Sequence, residues 1–360
     1  MPDSTTTGFY ASRPTIKVDG TENASLGDDL LLSLLVEETT LGLYRCEAHF
    51  VNWGSKSDAA NYILFDRQTL DFGKEFSVAF GPPGSAAEIF KGRITGIEAH
   101  YPAQRPPELT VLAEDRFQDL RMERRTRSFE NASDSDVFNQ VASQHGLTPQ
   151  VDVDGPVYRV LTQVNQSDLA FLRERARAID AEVWVEDRTL HAQPRTRRSS
   201  QTVTLTYGRN LFEFSVLADL AHQRTTVKVS GWDVSSKAAI DESAGESAVS
   251  AELDGKRSGS SVLGQALAER NERVADSVPL SSDEARAMAE ARYRERARRF
   301  VRGRGWAEGT PAVRVGVSLD LKQVGDLFEG KYYVTLARHT FDLAKGYQTS
   351  FEVERPGVGG

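Results

Sequence analysis

The 360-residue sequence predicts an α+β chain that is mainly β, strand-rich at both ends, with helical segments between and inserted. Three observations predict this class. Short runs of alternating apolar and polar residues, punctuated by Gly, Pro, Asn and Asp, fill residues 13 to about 115. The texture then changes to apolar residues at helical spacing. Finally, the hairpin pattern "KGRITGIEAHYPAQRPPELTVLAEDR" at 91–116 has an echo, "GKYYVTLARHTFDLAKGYQTSFEVER", at 330–355.

Residues 1–12 read as a flexible N-terminus. In 13–115, "TIKVDG", "LYRCEAHFVNW", "KEFSVAF", "IFKGRITGIEA" and "ELTVLAE" read as strands of a sandwich or barrel. In 116–200, Ser133 suits an N-cap with Asp136 three residues on. Val137, Phe138 and Val141 follow at helical spacing, and Gly146 suits the stop. A second helix shows Leu169, Leu172, Ala176 and Ile179 on one face and runs into the hairpin "EVWVEDRTLHA". Strands return at 202–207 and 225–231. The stretch 241–261 is polar, low in complexity and too small-sided to bury much, so it reads as a loop. A basic helix over 282–300 opens with the capping box Ser281–Glu284. The second strand-rich unit is therefore discontinuous, 201–235 plus 306–356, with 236–305 inserted.

A net charge of −8 argues against a general nucleic-acid binder. The single cysteine, Cys46, excludes an intramolecular disulfide and a cysteine metal cage, and reads as a buried structural thiol. The N-terminus lacks the basic and apolar regions of a signal peptide, and "DDLLLSLLVEE" is too short to span a bilayer. Synthesis and folding in the cytoplasm, without direct membrane insertion, are expected.

No hydrolase, P-loop, zincin or EF-hand motif is present, and the six histidines never fall at a metal-ligand spacing. No catalytic residue, metal or cofactor is predicted. A cell-wall hydrolase would need acids converging in a cleft, and the sequence singles out none. Asp134 and Asp136 begin a helix and read as capping residues. His100 and His339 occupy matching places in the two hairpins and read as packing or turn residues. Arginine concentrates in "LRMERRTR" and "RYRERARRFVRGRGW". Arg124, Arg125, Arg294, Arg298 and Arg299 either dock an acidic partner or form solvated faces with pairs such as Glu290–Arg294. In "SGWDVSSKA", Trp232 reads as a plug at the end of a core, with Asp233 and Lys237 paired across a helical turn.

Taken in order, these pieces resemble the late-control protein D family of contractile phage tails, and the hub region that begins VgrG spike proteins. The matching stretches include "QVNQSDLAFLRERARAIDAEVWVEDRTLHA", with Gln166, Ser167, Asp168, Phe171 and Leu172. They also include "LTYGRNLFEFSVLADLAHQRTTVKVSGWDVSSK", with Gly208, Gly231, Trp232, Asp233 and Lys237. The closing hairpin contributes Tyr333, His339, Gly346 and Tyr347. The resemblance covers about 13 to 355. It implies two small similar β-barrels per chain and a homotrimer that shows six barrels in a ring. It further implies a non-enzymatic baseplate hub that joins a sixfold inner tube to a threefold spike, seeds tube assembly and contacts wedge proteins. Because the sequence stops after the second barrel, a separate spike protein is expected. A hub-derived carrier using 241–261 or the basic helix to hold cargo is the remaining alternative. The particle implied is a phage tail or a tail-like injection device.

Overall fold

A computed structural model of the chain describes residues 13–56, 59–82, 85–198, 200–233, 236–274 and 278–359; the N-terminus 1–12 lies outside them. Six main strands build the first unit: β1 (Thr15–Val18), β2 (Leu31–Thr39), β3 (Arg45–Val51), β4 (Glu75–Phe80), β5 (Ala87–His100) and β6 (Glu108–Glu114), with the two-residue strand Thr21–Glu22 added beside β1. They pair antiparallel in the order β2–β3–β6–β5–β4–β1. The two-residue period turns Val36, Cys46, Ala48, Phe50, Phe76 and Val111 onto one face, where they bury a shared core. Cys46 lies inside it, as its apolar neighbours imply.

The middle of the chain packs helices on two small sheets. Strand β7 (Arg124–Ser133) leads into helix α1 (Asp134–Gln144), then β8 (Thr148–Val151), β9 (Val157–Ser167), helix α2 (Asp168–Ala178), β10 (Ala181–Glu186) and β11 (Thr189–Pro194). Ser133 and Asp136 form the reciprocal capping box that their spacing predicts. Asp134 does not cap; it is fully buried and grips Arg175 through both oxygens, at 2.6 and 3.1 Å.

The second unit begins with β12 (Thr202–Thr206) and β13 (Leu211–Ala218). An insertion follows, made of β14 (Thr226–Asp233), β15 (Ala238–Ala244), helix α3 (Gly259–Leu267), β16 (Asn271–Val274) and helix α4 (Ser282–Arg298). The second unit resumes with β17 (Val301–Glu308), β18 (Ser318–Lys322), β19 (Gly330–Asp342) and β20 (Gly346–Arg355). Three expectations change here. Strand β14 pairs with β15 and β16, and its Val227 and Val229 pack on Ala289 and Tyr293 of α4, so it belongs to the insertion. Stretch 241–261 is not a loop: it finishes β15, forms a 3-10 turn at Glu246–Glu252 around buried Val249, and enters α3. Trp232 plugs no core, being 51% exposed.

The two strand-rich units repeat one hydrogen-bonding plan. The order β13–β17–β20–β19–β18–β12 parallels β2–β3–β6–β5–β4–β1, although β12 runs parallel to β18 whereas β1 is antiparallel to β4. In the first hairpin Arg93 faces Glu114, Ile94 faces Ala113, Gly96 faces Leu112 and His100 faces Glu108. In the second, Tyr333 faces Glu354, Val334 faces Val353, Leu336 faces Glu352 and Thr340 faces Gln348, each 240 positions further on. Both hairpins bulge at a threonine. Thr95 donates its hydroxyl to Leu112 O at 3.3 Å, and Thr335 to Glu352 O at 3.2 Å. Opposite each bulge a glycine at positive φ, Gly73 (80°) or Gly316 (94°), donates its N–H to Ile94 O or Val334 O. His100 and His339 do not correspond. His339 matches Ala99, so the histidines fall on opposite faces, His100 exposed and His339 buried.

Neither unit closes into a barrel; among the described residues they merge into one 13-stranded sheet. Strand β19 makes the seam. Its first residues pair with β18, and residues 336–342 pair with Thr39 back to Ser33 of β2. Ala337, His339 and Phe341 are buried against Glu38, Val36 and Leu34. Tyr347 of the second unit stacks on Phe80 of the first, with centroids 3.8 Å apart. Glu38, 1% exposed, pairs with Arg314 and accepts the Val315 N–H at 3.1 Å.

Burial, and secondarily the nearby Arg314 cation, pushes the His339 imidazole down to about 3. Its Nδ1 meets the Tyr347 hydroxyl at 2.8 Å, with Thr349 alongside. Between pH 6.5 and about 3 the unfolded chain therefore binds a proton that the folded chain excludes. This site makes stability fall as pH falls through that window, by at most about 1.4 kcal/mol per pH unit. Urea unfolding of wild type and His339→Gln from pH 7 to 4 is expected to show a shallower pH dependence in the variant; parallel curves would contradict the assignment.

Candidate functional site

Buried ion-pair knots brace the middle domain and fasten it to the strand-rich units and the insertion, and most of the residues highlighted in the sequence sit at or beside them. The first knot lies where β7 and β9 meet α2. Ser167 caps α2 by accepting the Ala170 N–H at 3.2 Å, and Asp168 points inward. Asp168 receives Arg127 at 2.7 Å, Gln163 Nε2 at 2.9 Å and His145 Nε2 at 2.8 Å, with Arg125 at 3.5 Å. Burial works to raise its carboxyl, but His145, Gln163 and the two arginines hold it below the usual range. Gln166 steadies the helix start through Glu174 at 2.8 Å, while Phe171 and Leu172 fill the core below.

The second knot is Glu182 of β10. It holds Arg198 at 2.6 Å and Arg195 at 3.3 Å, and accepts the Tyr333 hydroxyl at 2.6 Å. Burial opposes its charge, and Arg195 and Arg198 more than offset that, leaving its carboxyl lowered. Arg198 also reaches the Tyr44 hydroxyl, and Arg195 reaches Glu354. One carboxylate thus ties the middle domain to both strand-rich units. The third knot is Arg298 at the end of α4, clamped between Asp180 and Glu252.

The basic clusters are therefore largely engaged within the chain. Arg124 donates to Asn165 O at 2.8 Å, and Arg125 pairs with Glu123 as well as Asp168. Arg294 bonds Ala248 O and makes the expected Glu290 pair at 2.8 Å. Arg299, paired with Glu295 at 3.1 Å, stays more than half exposed. A cleft of about 390 Å³ between the units is lined by Arg173, Arg195, Arg298, Glu182 and Glu354. Four of these five take part in the knots just described, which suits a joint.

The remaining motif residues shape the backbone. Gly208 and Gly346 take positive φ in turns. At Gly231 a Cβ would lie 2.5 Å from Pro279 O, so only glycine fits there. Asp233 accepts both the N–H and the hydroxyl of Ser236 in a turn, and Lys237 sits at φ 55°. Among the described residues no group of three His, Cys, Asp or Glu is placed to hold a metal, and no helix is long and apolar enough to cross a membrane.

Two exposed sheet edges carry apolar residues, and periodicity alone does not mark them. At the end of β5, Tyr101 (61% exposed) joins Tyr62, Phe65 and Trp53 in an aromatic cluster. On β13, Phe212 packs on Trp306 with centroids 4.7 Å apart, and Leu217 is 56% exposed. Glu38 and Glu182 also escape sequence reading, because an isolated Glu in an alternating run looks solvent-facing.

Residues 15–342 match the family model described as the Alg8 N-terminal domain. No curated protein matches the chain. Among solved structures, the 43 kDa tail protein of prophage MuSo2 from Shewanella oneidensis superposes with a TM-score of 0.70 at 12% identity, covering 96% of this chain and 98% of that one. A tail protein from Neisseria meningitidis gives 0.70 at 12% identity, covering 97% and 98%. An Escherichia coli component of the type VI secretion system, described as structurally similar to the T4 bacteriophage tail proteins gp27 and gp5, gives 0.57 at 11% identity, covering 94% and 76%. The shared feature is the fold.

Arg298→Met strands two mostly buried carboxylates, Asp180 and Glu252, and is expected to cost on the order of 3 kcal/mol in urea unfolding. Adding Asp180→Asn and Glu252→Gln removes the stranded charges and is expected to recover much of that loss. Equal stability of wild type and single variant would contradict a structural role for the knot.

Proposed function

The chain belongs to the family described as the Alg8 N-terminal domain, and we propose that it is a structural hub protein of a contractile tail or tail-like injection particle. The observation that carries this reading is the repeated unit: one hairpin register and one bulge threonine, 240 positions apart, in a sheet that joins both copies edge to edge. The whole-length likeness to tail proteins and to a type VI secretion component supports the same role.

The mechanism is geometric. A chain with two similar units, assembled as a trimer, presents six near-equivalent units to a sixfold inner tube on one face. On the other face its single middle domain and insertion keep threefold symmetry for a spike. The hub thus converts one symmetry into the other and gives the first tube ring a template, with wedge proteins docking outside. Interfaces carry the function, and the buried knots keep the two units of each chain from shifting relative to one another.

Light scattering of the purified chain, alone and with its spike protein, is expected to give a particle three times 39.8 kDa, with six lobes in class averages. The same particle is expected to bind rings of the inner tube protein. A chain that stays monomeric with spike and tube both present would overturn the reading, as would clearing of cell walls by the purified chain.

A further inference from the structure

The repeat makes a prediction about edges. Within the chain, residues 336–342 of β19 pair with residues 39–33 of β2. In the first unit the counterpart of 336–342 is 96–102. The counterpart of β2 in the second unit is β13, because Val36 faces Cys46 beside Ala113 where Val216 faces Gly303 beside Val353. Residues 33–39 therefore correspond to 213–219. Among the described residues these two counterpart edges carry no strand partner: β5 beyond Ile94 pairs only with β6, and β13 from Glu213 onward pairs only with β17.

We propose that the edge at 96–102 of one copy pairs antiparallel with the edge at 213–219 of a second copy, repeating the seam inside the chain. The register carried over sets Ile97 opposite Ala218, Ala99 opposite Val216, and Tyr101 opposite Phe214. These replace Ala337–Glu38, His339–Val36 and Phe341–Leu34, which are buried in the chain's own seam. All six residues at the new joint are apolar, and each is partly or largely exposed in the single chain. On the other face Glu98 meets Leu217, the positions held inside the chain by the Arg338–Glu37 pair. Two open edges with matching apolar rows are a liability in a monomer and are complementary between copies. The contact is head to tail, so it either closes into a ring or grows without limit. The number of copies in the ring, three, rests on the hub reading above.

The test uses the full chain with Glu98→Cys and Leu217→Cys together. Directly opposed residues of an antiparallel pair bring their Cα atoms within the range a disulfide needs. Mild oxidation is expected to produce covalent dimers and trimers, many times faster than in Glu98→Cys with Val216→Cys, where a one-residue slip points the thiols to opposite faces. As a second variant, Ala99→Asp, at an exposed position of the first edge, is expected to abolish the trimer while leaving the urea midpoint of the monomer nearly unchanged. A trimer seen by light scattering that neither cross-links at 98–217 nor responds to Ala99→Asp overturns this joint and leaves the hub reading intact. A chain that never oligomerises, with spike and tube added, overturns both.

Discussion

The pairing of residues 336–342 with residues 39–33 is the constraint on which the rest of the molecule depends. It joins two units that share a strand plan into one sheet and fixes their relative rotation and rise. Hydrogen bonds alone would allow a two-residue slip along the strands. Burial of Ala337, His339 and Phe341 removes that freedom, and the Tyr347–Phe80 stack and the Glu38–Arg314 pair fix the units laterally. The ring proposed above would need an internal joint of this stiffness, since an error at each joint accumulates around the circle.

Arginine, rather than lysine, braces the middle domain internally, ties it to the insertion and secures it to this frame. Arg127, Arg175, Arg195, Arg198 and Arg298 each meet at least one carboxylate, and Arg195 and Arg198 also lie over Tyr333 and Trp184. A planar guanidinium satisfies two acceptors and an aromatic face at once, which a lysine ammonium cannot do. The arginine-rich composition of an acidic chain thus reflects internal fastening as well as surface charge.

Much of the fold was legible in the sequence, for reasons visible in particular residues. Alternation placed the strands, Ser133 and Ser281 marked helix starts, and the echo at 330–355 reflects a true repeat of register. What remained hidden was tertiary. His100 and His339 are one residue out of step, because the bulge threonines, not the residue types, set the register. Stretch 241–261 is rich in Ala, Ser and Gly, yet its Ala244 and Val249, with Ile240 just before it, bury against α4, whose own alanines leave room for them. The seam itself joins segments some 300 residues apart, which no local periodicity reports. Glu38 and Glu182 were invisible because nothing in their neighbourhoods distinguishes a knot from a solvated carboxylate.

The most direct test of the account is a density map of the assembled ring, reconstructed with threefold symmetry only and resolved well enough to trace strands. If the proposed joint forms, the contact between neighbouring chains superposes on the seam inside each chain, with the same strand directions and register. Chains that instead meet through the middle domain or the insertion, with residues 96–102 and 213–219 left bare, would contradict it.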